Sequence, residues 1–339
     1  MSIVTPDLLK TDRQMHNTPA FEIGLVQYPG AQQAATLGLT DLFGVANSVA
    51  SRFLKSPGPS LRISHWQQAS ASSAPERTFD TQPHAGSRLT VLILPPTLQE
   101  PDPAPPGALL TWLKAQHAQG VTLGSVCAGA FLLAATGLLD GRPMTTHWTY
   151  AQRLQQRFPN VRVDADRLVI DDGDIMTAGG LMAWTDLGLR LIDRLLGPSI
   201  MLDTARTLVV DPPGREQRYY SAFSPVLTHG DAAVLSVQHW LQATQAKDMT
   251  LATLATQAKL EPRTLLRRFQ KATGMTTTEY GQRLRVGRAR EMLQFETASI
   301  DKVAWEVGYS DAGAFRKVFT RIVGLTPGAY KRRFSAGLR

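Results

Sequence analysis

The chain has 339 residues, enough for about two domains of ordinary size. Its 43% hydrophobic and 19% charged content is that of a folded globular protein, with no stretch near the roughly 18 uninterrupted apolar residues of a membrane span and a single cysteine that excludes an intrachain disulfide or a cysteine-rich zinc site. The net charge of +8 is uneven, because residues 231–339 hold 18 basic against 9 acidic side chains and residues 1–230 hold 18 against 19. A basic part joined to a neutral one points to a polyanion partner on one side only; the plainer alternative is a soluble basic surface.

Taken in chain order, the N-terminal stretch carries Asp7, Lys10, Asp12 and Arg13 without an apolar signal segment, so a cytoplasmic protein is expected. FEIGLVQYPG is an apolar run punctuated by Pro29-Gly30, which reads as a buried strand, and LTDLFGVANSVASRFL follows with helical spacing. LTVLILPP is a second strand, PPTLQEPDPAPPG a proline-rich loop, and ALLTWLKAQHAQG an amphipathic helix stopped by Gly120. VTLGSV is a third strand, AGAFLLAATGLL a buried helix, DRLVIDDGDIMTAGG a hairpin, and LMAWTDLGLRLIDRLLG a closing helix. Strands alternating with helices predict an α/β fold with a mostly parallel sheet covered on both faces, over residues 20–200. Residues 201–230, with a possible strand in TARTLVV and then Pro, Gly and two tyrosines, read as a linker; residues 231–335 read as all-helical.

The helical part contains an internal repeat. Leu251, Leu254 and Ala255 recur 49 residues later as Ile300, Val303 and Ala304. After one inserted residue, Leu265, Arg267, Phe269, Gly274, Thr276 and Tyr280 recur 50 later as Phe315, Lys317, Phe319, Gly324, Thr326 and Tyr330. Each copy reads as helix, tight turn, helix, glycine stop and next helix, the plan of a helix-turn-helix unit. Pro262 fits a first helical turn, Asp311, Thr276 and Thr326 fit N-caps, and Leu265 with Phe269 and Phe315 with Phe319 mark core stripes. Off the stripes lie Arg263, Leu266, Arg267 and Arg268 in the first copy, and Ala312, Gly313, Arg316 and Lys317 in the second. A helical bundle with a solvated cationic face is the plainer alternative. Cations on the second helix of both copies favour a DNA-reading role.

Residues 231–334 resemble the AraC-family DNA-binding domain, including the run IDKVAWEVGYSDAGAFRKVFTRIVGLTPGAYKRRF. The resemblance implies double-stranded DNA as partner. It places base-contacting residues at Arg263, Leu266 and Arg267, with Thr264 and Arg268 beside them, and at Ala312, Gly313 and Arg316 or Lys317. Leu266 suits a thymine methyl, and the arginines suit bidentate bonds to guanine.

Cys127 stands where a strand runs straight into a helix, the outline of a nucleophile elbow, where backbone N–H groups and the helix dipole favour thiolate. A buried, inert cysteine is the plainer alternative. This part resembles the PfpI-like, class I glutamine-amidotransferase-like sandwich. With GLTDLF, CAGAFLLAATGLLDGRPMTTHW and GREQRYYSAFSP, the chain resembles GlxA-type regulators over roughly residues 20–334. In the hydrolytic relatives a histidine follows the nucleophile; here Ala128 does, and the acid is Asp41. The resemblance therefore implies a ligand pocket walled by Asp41, Cys127, His147 and Asp186, a small effector such as an amino acid or quaternary amine, a homodimer, and neither cofactor nor metal. The alternative is a cysteine-dependent hydrolase or hydratase pairing Cys127 with Asp41, as in isocyanide hydratases.

Overall fold

The computed structural model describes residues 20–53, 59–83 and 88–335, so the N-terminal residues read above for a signal lie outside it. Two compact units divide between Arg215 and Glu216, within the span expected as linker.

The first unit runs β1 (Ala20–Gln27), α1 (Gln33–Phe53), β2 (Ser60–Gln68), β3 (Pro75–Asp80), β4 (Leu89–Leu94), α2 (Gly107–Ala118), β5 (Thr122–Val126) and α3 (Ala130–Ala135). It continues with β6 (Pro143–Met144), α4 (Ala151–Arg157), β7 (Arg162–Val163), β8 (Val169–Asp171), β9 (Ile175–Ala178), α5 (Trp184–Leu196) and α6 (Pro198–Leu208). One seven-stranded sheet has the order β3-β2-β1-β4-β5-β9-β8, parallel except for β3 and β8 at its edges. The near-continuous apolar run of β4 serves both faces: Val91 and Ile93 join the core under α1 and α5, while Leu92 and Leu94 join the core under α2 and α3. This is the α/β sandwich expected.

β2 is hidden in the sequence because charge is buried inside it. Arg62 is 3% exposed, donates from Nε to Asp80 at 2.9 Å and lies 3.7 Å from buried Glu22. That breaks the apolar run that would otherwise announce a strand. The possible strand in TARTLVV is instead the end of α6. Pro198 starts this helix where a missing N–H costs nothing, and Ile200, Thr204 and Ala205 form its buried stripe.

The second unit contains α7 (Ala232–Ala243), α8 (Leu251–Ala258), α9 (Pro262–Thr273), α10 (Thr277–Phe295), α11 (Ile300–Glu306), α12 (Ala312–Val323) and α13 (Pro327–Phe334). The repeat survives in detail. Gly274 and Gly324 end α9 and α12 with left-handed φ of 73° and 82°. Thr276 and Thr326 then accept N-cap bonds from Glu279 N and Ala329 N, each worth about 1 kcal/mol. Tyr280 packs edge-on against Phe269 at 5.3 Å, and Tyr330 against Phe319 at 5.6 Å. Two apolar cores result, one from α7 to the start of α10 and one from the rest of α10 to α13.

Candidate nucleic-acid interface and ligand cavity

In α9, Leu265 and Phe269 are fully buried, which turns Arg263, Leu266 and Arg267 to the opposite face, all exposed. Among the described residues no ion pair engages Arg263 or Arg267. Thr264 is half-buried at the edge of this face. Arg268 is directed elsewhere. Its guanidinium donates to both oxygens of Asp231 at 2.9 and 2.7 Å, holding that carboxyl below its ordinary range and fastening α9 to the N-cap of α7. It ties α9 to the start of α7; the sequence shows its charge but not its distant partner.

In α12 the same geometry exposes Arg316 and Lys317 opposite buried Phe315 and Phe319. Ala312 and Gly313 are half-buried rather than exposed: Ala312 packs against the second core, and the Asp311 carboxylate folds over Gly313, accepting from Gly313 N and Ala314 N, both at 2.9 Å. Those two bonds also hold the Asp311 carboxyl below its usual range. Arg316 donates to Asp301 at 2.7 Å. Two exposed strips thus stand on α9 and α12, joined by α10, whose 19 residues span about 28 Å.

In the α/β unit the elbow is present in shape. β5 ends at Val126, Cys127 takes φ 54°, and a single 3-10 turn over Cys127–Gly129 leads into α3. Its chemistry is the reverse of the expectation. Cys127 is 2% exposed, and burial pushes its pKa up to about 11, outweighing the bond from the Ala128 amide. The thiol is therefore protonated at neutral pH, as in the plainer alternative. Asp41 lies on the exposed side of α1. His147 Nδ1 bonds to Thr149 Oγ1 at 2.7 Å, and burial lowers its pKa. Asp186 is 2% exposed and is held by the Arg215 guanidinium, with Nε 3.2 Å from one oxygen. None of these four residues lines the nearby cavity.

That cavity, of about 330 Å³, lies beside the elbow, at the carboxyl ends of β1, β4 and β5. It opens where the chain leaves the sheet on opposite faces, α1 after β1 and α2 after β4, the usual place for a ligand in an open α/β sheet. Tyr28, Gln99, Glu100, Asp102, Ala128 and Phe131 line it. The elbow supplies Ala128, and the proline-rich loop after β4 supplies the two carboxylates. That loop, following a fully apolar strand, was the available sequence signal for this site.

Comparisons with known proteins agree with this architecture. The DJ-1/PfpI family matches residues 88–194, and a helix-turn-helix domain family matches residues 254–333. The HTH-type transcriptional regulator GlxA of Rhizobium meliloti is 32% identical over 226 residues, covering 66% of this chain and 69% of that protein. The HTH-type transcriptional regulator GbdR of Pseudomonas aeruginosa is 29% identical over 219 residues, or 64% of this chain and 59%, less than two thirds, of its own length. An isonitrile hydratase of Pseudomonas putida matches only 29% of this chain, at 37% identity, and 40% of its own length. The regulators align across far more of the chain than the enzyme does, and the chain belongs to the GlxA-type family of helix-turn-helix transcriptional regulators.

Proposed function

We propose that this protein reads a two-part DNA site in the cytoplasm, as a homodimer, under the control of a small molecule held in its α/β unit. The observation that carries the DNA reading is the repeated strip: Arg263, Leu266 and Arg267 on α9, and Arg316 and Lys317 on α12, each opposite a buried aromatic. A helix bearing cations on its outer face enters the major groove and reads base edges through them. Selection from a random duplex library at fixed salt is expected to enrich a bipartite element with two halves about one helical turn apart, one such element per protomer. Equal retention of all sequences would sink the reading.

The effector reading rests on the cavity. Its Tyr28 face and Asp102 carboxylate suit a compact cationic or zwitterionic ligand, such as an amino acid or a quaternary amine. Glu100 is already ion-paired with Arg153, and Arg153 and Arg157 lie over the Phe131 ring. Control also requires that the ligand bind the DNA-competent and DNA-incompetent states unequally. A thermal-shift screen of such metabolites on the full-length protein tests this, with Gln99→Ala as the cavity variant. A ligand that raises Tm in the wild type but not in the variant, and alters DNA affinity, supports it. Ligands that leave DNA affinity unchanged count against control, and light scattering decides the homodimer.

A further inference from the structure

Two helices that read one duplex together need a fixed separation and rotation, because the major groove returns about every 34 Å. The apolar cores do not provide that by themselves. Among the described residues, α10 is the one helix common to both cores. A lone connecting helix can curve along its length, and each bundle can still tilt about its own contact with it.

Two arginines of α10 add cross-connections. Arg285 donates from Nε to Ala246 O at 2.8 Å and from Nη2 to Lys247 O at 3.0 Å, both in the turn after α7. Its Nη1 donates to Gly308 O at 2.9 Å, in the turn of the second helix-turn-helix unit. One planar guanidinium therefore joins the two units through three backbone carbonyls, while lying 5.4 Å over the Tyr309 ring. Gly308 suits this twice: its φ is 88°, and a Cβ there would sit 3.2 Å from the guanidinium carbon. Across the bundle, Gln245 and Ala246 both hold left-handed φ, 52° and 53°, a conformation that persists in non-glycine residues only where the surroundings fix it. Arg285 is one of those surroundings.

Arg290 makes the second connection. Its Nε donates to Tyr330 OH at 3.0 Å, and its Nη atoms donate to the carbonyls of Tyr219, at 2.9 Å, and Ser221. The strand of chain so held continues to Phe223, which packs edge-on against Tyr280 of the first core at 5.2 Å. The segment ahead of α7 thus runs from the second core to the first, pinned at both.

We propose that Arg285 and Arg290 are positioning residues that set the two reading helices relative to each other, so that both engage one duplex only at a fixed half-site spacing. This rests on the DNA reading above. The test uses full-length protein and the duplex selected by the wild type from a random library. Affinity is compared on that duplex, on one with its second half scrambled, and on one with about 5 base pairs, half a turn, inserted between the halves. For the wild type, rigid linkage is expected to favour the intact duplex over the inserted one by about 100-fold. Arg285→Met and Arg290→Met are each expected to reduce that preference by about 10-fold or more, with half-scrambled affinity changing less than about 2-fold. A merely structural role would lower affinity on all three duplexes in parallel. An unchanged spacing preference overturns the proposal. Where a methionine variant fails to fold, a Gly-Gly insertion between Ser221 and Phe223 loosens one connection without removing a side chain, and an unchanged preference there overturns it equally. A wild type that selects no motif overturns the DNA reading itself, whereas a selected motif with unaltered spacing preference in the variants overturns this inference alone.

Discussion

The two units of this chain treat their reactive side chains in opposite ways. In the α/β unit, Cys127 is buried and protonated at neutral pH, and Asp186 is buried against Arg215. In the helical unit, Arg263, Arg267 and Lys317 stand in solvent, where a partner can reach them. The elbow has the backbone of a nucleophile site without the exposed thiolate a nucleophile needs. A smaller contrast separates the helix-turn-helix units themselves. The helix α9 starts after Glu261, which makes no side-chain cap bond, and leaves its two outer arginines unpaired among the described residues. The helix α12 is capped twice by Asp311, and its Arg316 is engaged by Asp301. On the proposed DNA reading, α9 is expected to read bases and α12, capped twice and starting with small residues, to support it.

Four measurements can break these contrasts. Asp186→Ala removes one buried partner of the partly solvated Arg215 guanidinium and is expected to cost about 1–2 kcal/mol in denaturant unfolding. A loss below about 0.5 kcal/mol would show the pair to be idle. Arg267→Ala is expected to leave stability within about 0.5 kcal/mol while weakening DNA binding by about 1–3 kcal/mol, with relaxed preference at one or two base pairs. Loss equal on all sequences, with a salt slope lower by about 1, would make Arg267 a phosphate contact.

Alkylation of Cys127 at pH 7.5 should run more than about 10-fold slower than that of a free thiol and should climb until about pH 11. A rate that levels off near neutral pH would restore the nucleophile. The smallest effect belongs to the caps. Asp311→Ala should lower the melting temperature, whereas Glu261→Ala should not. Because the folded Asp311 carboxyl titrates below its unfolded value, its contribution is present above the ordinary carboxylate range and vanishes as pH falls through the lowered value. Wild type and Asp311→Ala should therefore converge in strong acid, and a gap that persists there would assign the loss to something other than the charged cap.

What was legible in the sequence follows from the same physics. The helical unit is built of local repeats, so period, glycine stops and caps sit within a few residues of what they control, and Leu265, Phe269 and Thr276 could be read in place. Arg268, Arg285 and Arg290 could be seen only as charges, because their partners Asp231, Ala246 and Tyr219 lie 37 to 71 residues away. In the α/β unit the strands were legible where they were purely apolar, as in β4, and hidden where a buried ion pair interrupted them, as in β2. The cavity was the least legible feature. Tyr28, Gln99 and Phe131 come from three separate elements that only the sheet brings together.

The central claim is that this chain recognises DNA sequence through α9 supported by α12. It is tested most directly by titrating wild type and an Arg263→Ala/Arg267→Ala double variant onto the selected duplex at one fixed salt concentration, with random duplex as competitor. The account predicts that the wild type prefers the selected duplex by about 1,000-fold or more. The double variant should lose most of that preference while keeping its affinity for random duplex within about 10-fold. A double variant that discriminates as well as the wild type would contradict it.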